Sequence, residues 1–492
     1  MRRDRPAAPA GNGGRLRPYQ DAFRQAFGEA VSFDPEILRS YDHDLGEMPG
    51  ALMALVRNRP QAVVIARSRE DVAAALRLAD RYGIPITPRA QASSGYGGAI
   101  PSQGGLVLDL SAFNRILAVD AANATVDVEP GLVWEDLSRH LAPHGLDNRA
   151  CPTSAPSSTV GGWFAMGGVG IGSLRYGSIR DNVLEIDVVG LDGLVRTYSG
   201  EAMEPYHQTC GSLGIITRLR LACRPAERLL PLAAHLPDAA SAGRFLEGLE
   251  AWPAAYSASL QSAGYCALRA AAEGHAPAIG SGFLVSLAVS PVGQARDQAA
   301  ALAARCGGVL LAEEAASAEW AGRYYPMRIR RLGPSALVGE YTLPTSAFAA
   351  SFAALQNALR RDAFGLEAFA VRGGRLAVLA YILDDAAAPL YPLRLAKAML
   401  PLRLAARHGG RPYATGMWFA ALAKIVFGPA KLDRVRRLKA ALDGRGLLNP
   451  GKLAGPRLPF APFLDLSRCL LAATACLAPL ASRLPSKQRR RA

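Results

Sequence analysis

Two glycine- and hydroxyl-rich stretches, PRAQASSGYGGA at 88–99 and CPTSAPSSTVGGWFAMGGVGIGSLRYGSIRDNV at 151–183, constrain this chain more than any other feature. A pyrophosphate packs negative charge into little space, so a protein holds it with consecutive backbone N–H groups, and glycine lets the backbone come close. Gly95, Gly97 and Gly98 supply that freedom, and Ser93 and Ser94 add hydroxyl donors. The two stretches together read as a two-part cradle for a dinucleotide.

The flanking segments define the kind of cradle. Ala62 to Ala66 is strand-like, and the pattern from Ser68 to Tyr82 is helical, with Ser68 and Asp71 matching a capping box, Val72, Leu76 and Ala79 on one face, and Gly83 as the stop. IPITPR at 84–89 is the next strand, and the glycine loop leads into a further strand, LVLDLS at 106–111, without opening a long helix. That order argues against a GxGxxG fold, in which the pyrophosphate sits at a helix N-terminus. The absence of a following Gly-Lys-Ser/Thr argues against a P-loop.

These motifs, followed by EPG at 129–131, PTSAPSSTVGG at 152–162, RYGSIRDNV at 175–183, GSLGIIT at 211–217 and LNPGK at 448–452, resemble the vanillyl-alcohol-oxidase type of flavoproteins over roughly residues 35–457. Within that type the chain is most similar to the branch of bacterial glycolate oxidase flavoprotein subunits and D-lactate dehydrogenases. The resemblance implies an α+β architecture: a two-lobed FAD-binding PCMH-type domain and an α+β cap of the FAD-linked oxidase C-terminal type. The motifs place the FAD domain at 47–226, with lobes 47–115 and 116–226, the substrate or cap domain at 227–420, and a return to the FAD domain at 421–457. Residues 1–34 are expected to be a disordered or loosely attached arm, and 458–492 an apolar and basic tail.

With 492 residues and 50% hydrophobic content, the chain can bury two or more sizeable cores. Its seven cysteines show no CxxC pair and no metal-ligand spacing, so no disulfide framework, iron–sulfur site or metal is expected, and a cytoplasmic home is the simpler one. The net charge of +15 is spread along the chain, with clusters at 323–331, 432–439 and 487–491. No helix-turn-helix, zinc finger or aromatic RNA-binding motif accompanies them, so nucleic acid is not expected as a partner.

Residues 457–486 are too apolar for a loose tail, yet the uncharged run between Arg468 and Arg483 is shorter than the roughly 20 residues a spanning helix needs. Two readings stay open for it. One is a helix in the membrane interface, peripheral on the inner face, helped by the terminal KQRRR. The other is a C-terminal helix docked on the body of the protein.

The resemblance implies that FAD contacts come from Arg89 and from Ser93, Ser94, Gly95, Tyr96, Gly97 and Gly98 of the loop. It puts Pro152, Thr153 and Ser154 along the isoalloxazine or ribityl edge, and Gly214 and Ile215 at the adenine. Ser157, Ser158 and Thr159 precede a helical stretch opened by Gly161 and Gly162, where hydroxyls and helix N-terminal amides can reach the ribityl chain or phosphate. Asn449 resembles the residue whose side chain reaches the flavin ring, although before Pro450 it also reads as a turn former. Non-covalent FAD is expected. Relatives that tether the flavin often use a histidine in the glycine loop, where Tyr96 stands here, and Cys151 reads more simply as a small buried apolar residue.

Oxidising a 2-hydroxy acid requires a cation for the carboxylate and a base for the hydroxyl proton. Trp320 and Arg323 match the family's W-x-x-R pattern, which implies that Arg323 grips the carboxylate with Arg328 assisting; a surface ion pair is the alternative for each. Many D-2-hydroxy-acid dehydrogenases of the branch carry HxGDGNxH and GEHG stretches. Here RLAVLAYILDD at 375–385 and HGGRPYATGMW at 408–418 stand instead, with Thr415 and Gly416 in place of Glu and His. His408, Arg411 and Tyr413 remain as acid–base candidates, Tyr413 first, its pKa lowered by Arg411; a helix end and turn is the plainer reading. His140 and His144, spaced i, i+4, lack a third ligand. The expected substrate is a small hydroxy acid, and the expected acceptor a quinone, a cytochrome or an iron–sulfur protein. A related flavoenzyme of another alcohol, or a non-catalytic electron-transfer subunit of a membrane complex, is the alternative function.

Overall fold

A computed structural model of the chain describes residues 18–46, 48–56, 58–291, 293–333, 335–458, 461–481 and 484. The first sheet holds β1 (Val31–Ser32), β2 (Ala62–Ile65), β3 (Ile86–Arg89) and β4 (Leu106–Asp109) in the order β1-β2-β4-β3, with β2, β4 and β3 parallel. Near-continuous apolar strands of this kind are buried on both faces. The crossover helix Arg69–Tyr82 forms as its capping residues dictate: the Ser68 hydroxyl accepts the Asp71 N–H at 3.1 Å, and Gly83 turns left-handed at its end. Val72, Leu76 and Ala79 enter the core beneath it.

The expected arm is corrected from residue 18 onward; residues 1–17 lie outside the described residues. Pro18–Phe27 is a helix whose Tyr19, Phe23 and Phe27, at i, i+4 spacing, pack on the first core, with Phe23 buried. That apolar stripe binds the segment to the body, and β1 then adds an antiparallel edge to β2.

The second sheet contains β5 (Ile116–Asp120), β6 (Thr125–Val128), β7 (Leu146–Asn148), β8 (Val183–Val189), β9 (Val195–Ser199) and β10 (Ile215–Pro225). Its order is β5-β6-β10-β8-β9, with β7 also on β10, and β5–β6 and β8–β9 pair antiparallel as hairpins. The short helix Val160–Met166 lies between β7 and β8.

The third sheet is antiparallel: β11 (Leu230–Leu236), β12 (Ala255–Ser262), β13 (Phe283–Val289), β14 (Val309–Leu310), β15 (Ser335–Pro344), β16 (Phe364–Val371), β17 (Arg375–Asp384) and β18 (Arg411–Pro412), in the order β14-β11-β13-β12-β16-β17-β15-β18. Strict alternation along β15 sends Leu337, Tyr341 and Leu343 into the core that this sheet shares with its helices. Ala336, Val338 and Glu340 are left on the opposite face. The chain then returns to the first sheet, where Leu448 bridges Ile86 in parallel.

The helix Pro429–Leu442 buries Leu432 and Val435 and leaves Arg434, Arg436 and Arg437 exposed, so the second basic cluster is a solvated face. The C-terminal helix Leu466–Ala481 is docked: Leu466 and Ser467 are buried, and the Ser467 hydroxyl donates to the Trp418 carbonyl at 2.9 Å. The KQRRR cluster lies outside the described residues.

Candidate active site

The two cradle stretches meet around a cavity of about 270 Å³. Its walls include Arg89, Ser93, Ser94, Gly95, Tyr96 and Gly98 from the glycine loop. Pro152, Thr153, Ser154, Ser158, Thr159, Gly161, Gly162 and Ile215 line it from the second lobe. No hydrogen bond among the described residues engages the N–H groups of Ser93, Ser94 or Gly95, so three successive donors on residues of the cavity wall have no protein partner. Arg89 stands at the same wall, anchored by a bond to the His43 carbonyl at 2.5 Å and stacked on Tyr41.

Other expected donors are already engaged. The N–H groups at the start of Val160–Met166 are not free, because Val160 donates to the Leu132 carbonyl and Gly161 to the Pro130 carbonyl, both at 2.9 Å. The Gly97 N–H donates at 2.6 Å to Asp44, a buried carboxylate that sequence reasoning missed and whose pKa burial raises to about 6. Gly97 has φ +75°, and a Cβ there would come within 2.9 Å of Met417 Cβ, so glycine at 97 serves contact between protein segments. Gly97, Ser157, Gly214 and Asn449 do not line the cavity. Asn449 lies beneath its floor, its amide donating to the carbonyls of Gly98 at 3.0 Å and Cys210 at 2.6 Å. Cys151 is buried outside the lining, its thiol pushed up to about 12 by that burial.

Opposite the cradle, the outward face of the cap sheet supplies Glu340, Phe369, Ala377 and Leu379. The Tyr96 hydroxyl donates to Glu340 Oε2 at 2.6 Å, and the Tyr413 ring stands 6.5 Å from that of Tyr96. Burial raises the Glu340 carboxyl to about 7. Glu340 also lines a second, largely apolar chamber of about 200 Å³ beside the first. The alternation of SALVGEYTLP, which isolates one carboxylate on the face opposite Leu337 and Tyr341, was the signal that could have found it.

The expected catalytic set is only partly assembled. Tyr413 lines the cavity, but burial first, and then the Glu340 charge, raises its pKa, and its hydroxyl accepts the Val169 N–H at 2.9 Å. Arg411 is exposed, so the expected lowering is corrected to a rise. Arg323 is not in the lining; it stacks between Trp320 and Tyr324, centroids 4.5 and 4.4 Å away, and donates to the Trp320 carbonyl at 2.7 Å. Arg328 pairs with Glu273 at 2.5 Å. His408 sits in the turn after the helix Met399–Ala406, away from the cavity. Gly416 lies so close to the glycine loop that a Cβ would stand 2.1 Å from the Tyr96 carbonyl oxygen. A histidine therefore has no room there. Among the described residues no group of three or more His, Cys, Asp or Glu is placed to hold a metal.

Two family models match the chain in succession: an FAD binding domain over residues 60–199, which takes in the cradle, and the FAD linked oxidases C-terminal domain over 267–453, which takes in the cap sheet from β13 onward. The chain is a two-domain FAD-binding flavoprotein. FAD is the cofactor of this flavoprotein, and the three N–H donors without a partner, the serine hydroxyls and Arg89 at one wall suit its diphosphate. Similar proteins include the glycolate oxidase subunit GlcD of Bacillus subtilis, 32% identical over 190 residues that make up 36% of this chain and 40% of that protein. The mitochondrial D-lactate dehydrogenase [cytochrome] of Arabidopsis thaliana is 34% identical over 173 residues, 33% of this chain and 30% of that protein. The matched stretches thus span less than half of either relative. Among solved structures, p-cresol methylhydroxylase superposes with a TM-score of 0.74 at 18% identity, covering 88% of this chain and 96% of that one. Alkyldihydroxyacetonephosphate synthase gives 0.72 at 18%, covering 90% and 86%, and both likenesses concern the fold alone.

Proposed function

We propose that this flavoprotein dehydrogenates a CH–OH group, with Glu340 taking the hydroxyl proton. The observation that carries the reading is the Tyr96–Glu340 pair, a carboxyl near neutrality on the cavity wall opposite the cradle. A general base works best with a pKa near the operating pH. Bound FAD supplies the two-electron acceptor for such a reaction. The rest is done by the chain: Tyr96 orients the carboxylate, Tyr413 stays protonated and fixes Val169, and Phe369, Ala377 and Leu379 exclude water.

The names of the relatives favour a second reading, in which the substrate is a 2-hydroxy acid such as glycolate or D-lactate. Against it, the arginines among the cavity-lining residues are Arg89, anchored at the cradle, and Arg330 in the apolar chamber, while Arg323 and Arg328 are held elsewhere. An alcohol without a carboxylate fits that wall better. The acceptor we propose is a quinone, a cytochrome or an iron–sulfur protein. A peripheral position at a membrane is consistent with the uncharged exposed residues Ala472, Ala473, Ala475, Cys476 and Leu480 of the C-terminal helix, and no helix among the described residues is long and apolar enough to cross one.

The test is anaerobic mixing of the holoenzyme with glycolate, D-lactate, D-2-hydroxyglutarate and a set of simple alcohols, followed by the flavin absorbance. Bleaching by alcohols, slowed at least 100-fold in Glu340→Gln, is the expected result. Bleaching by the acids alone, or an unslowed variant, overturns the reading.

A further inference from the structure

Most of the second chamber is walled by elements other than the cradle. It shares Tyr96, Met327, Glu340 and Leu379 with the cofactor cavity, so the two spaces meet at the proposed base. From there it runs between the outward face of β15, which contributes Ala336 and Val338, and the C-terminal helix, which contributes Leu470, Leu471 and Thr474. Leu395, Met399 and Leu402 from the segment before β18 close a further side. Near its junction with the first cavity stands Leu45, a wall of both spaces that is still 42% exposed.

We propose that this chamber binds the apolar chain of the alcohol substrate, an alkyl or isoprenoid tail that lies under the C-terminal helix while its hydroxyl reaches Glu340. The inference rests on the reading of Glu340 as the base. Two observations carry it. The chamber carries the Tyr96–Glu340 pair at its junction with the cofactor cavity, and although Arg330 and Thr474 also line it, leucine, methionine, valine and alanine dominate the rest of its wall, a layout that suits an amphipathic ligand with a hydroxyl head. The position of that pair at the junction directs an occupant's head, and not its tail, toward the cradle. The C-terminal helix, whose uncharged sequence suggested a membrane contact, thereby gains a second use as the roof of a binding site.

Calorimetric titration of the chemically reduced holoenzyme, in which turnover cannot occur, with alkan-1-ols from butan-1-ol to dodecan-1-ol tests the chamber independently of the chemistry. Affinity should rise by roughly fourfold per methylene until the chamber is filled and then level off. Val338→Phe and Thr474→Phe, on opposite walls, should each abolish the gain for long chains while changing butan-1-ol binding by less than about twofold. Because both substitutions sit on different elements, loss of folding in one leaves the other as the test. Affinity independent of chain length, or long-chain binding unaffected by both variants, overturns the proposal. Displacement of dodecan-1-ol by a decyl-substituted quinone, with alcohol bleaching rates independent of chain length, assigns the chamber to the acceptor and also overturns it. Failure of the Glu340→Gln test with graded binding intact would instead remove the base and leave the chamber.

Discussion

The Tyr96 hydroxyl meets the Glu340 carboxylate at 2.6 Å across a sequence separation of 244 residues, tying the glycine loop of the cradle to the central face of the cap. The contact stands on the cavity wall and favours the ionised form of Glu340, against the burial that raises its pKa. Several measurable properties follow from it and from the residues around it.

Glu340 must be ionised to accept a proton, and burial holds its carboxyl at about 7. The rate of anaerobic flavin reduction should therefore rise with pH and level off above neutrality. Tyr96→Phe removes a hydrogen bond to the carboxylate, which favours the charged form, so its pH profile should shift upward by about one unit. A pH–rate series on both proteins checks this.

The same group predicts a stability effect of the opposite sense. A carboxyl whose folded pKa lies above its unfolded value stabilises the fold while protonated, and that contribution is lost as pH rises through the folded value, here about 7. Glu340→Gln should leave thermal stability unchanged near pH 4 and raise it above pH 8 by at most about 3 kcal/mol. Equal stability of the two proteins at high pH would show that Glu340 is well solvated.

Arg323→Ala should leave KM within a few-fold for any substrate, because the guanidinium stacks on Trp320 and Tyr324 outside the cavity. Its cost should be local, about 1–2 kcal/mol of stability from the lost stacking. A KM increase of 100-fold for D-lactate would mean that the arginine swings in to grip a carboxylate.

Tyr413→Phe leaves the Val169 N–H without its acceptor, at a cost of about 1–3 kcal/mol, but should slow turnover less than tenfold because the phenol is held protonated. Denaturant unfolding and anaerobic reduction together separate these effects.

Gly97→Ala should release FAD. The residue needs a left-handed backbone, and its added Cβ would stand 2.9 Å from Met417, so the loop must move and the neighbouring N–H donors move with it. Retained flavin after gel filtration is the readout.

The parts of this molecule set by nearby residues were legible in the sequence. Ser68, Val72, Leu76 and Gly83 define a helix among themselves, and the glycine loop singled out by its composition lines the main cavity. The parts set by partners far along the chain were not. Whether the Val160 and Gly161 amides are free depends on the carbonyls of Leu132 and Pro130, and the state of the Gly97 N–H depends on Asp44. The W-x-x-R motif suggested a substrate grip for Arg323, but the aromatic rings of Trp320 and Tyr324 capture the guanidinium first. Tyr413 lines the cavity, but its pKa moves opposite to the expected direction, because sequence shows Arg411 two residues away and neither the burial nor the carboxylate of Glu340.

Asn449 holds the floor of the cradle through the Gly98 and Cys210 carbonyls, and Leu448 joins the first sheet beside Ile86. Translation thus delivers the glycine loop 351 residues ahead of its support. A ribosome that has not yet reached Asn449 carries a glycine loop without this support, so the loop can settle into its folded form only after that residue has emerged.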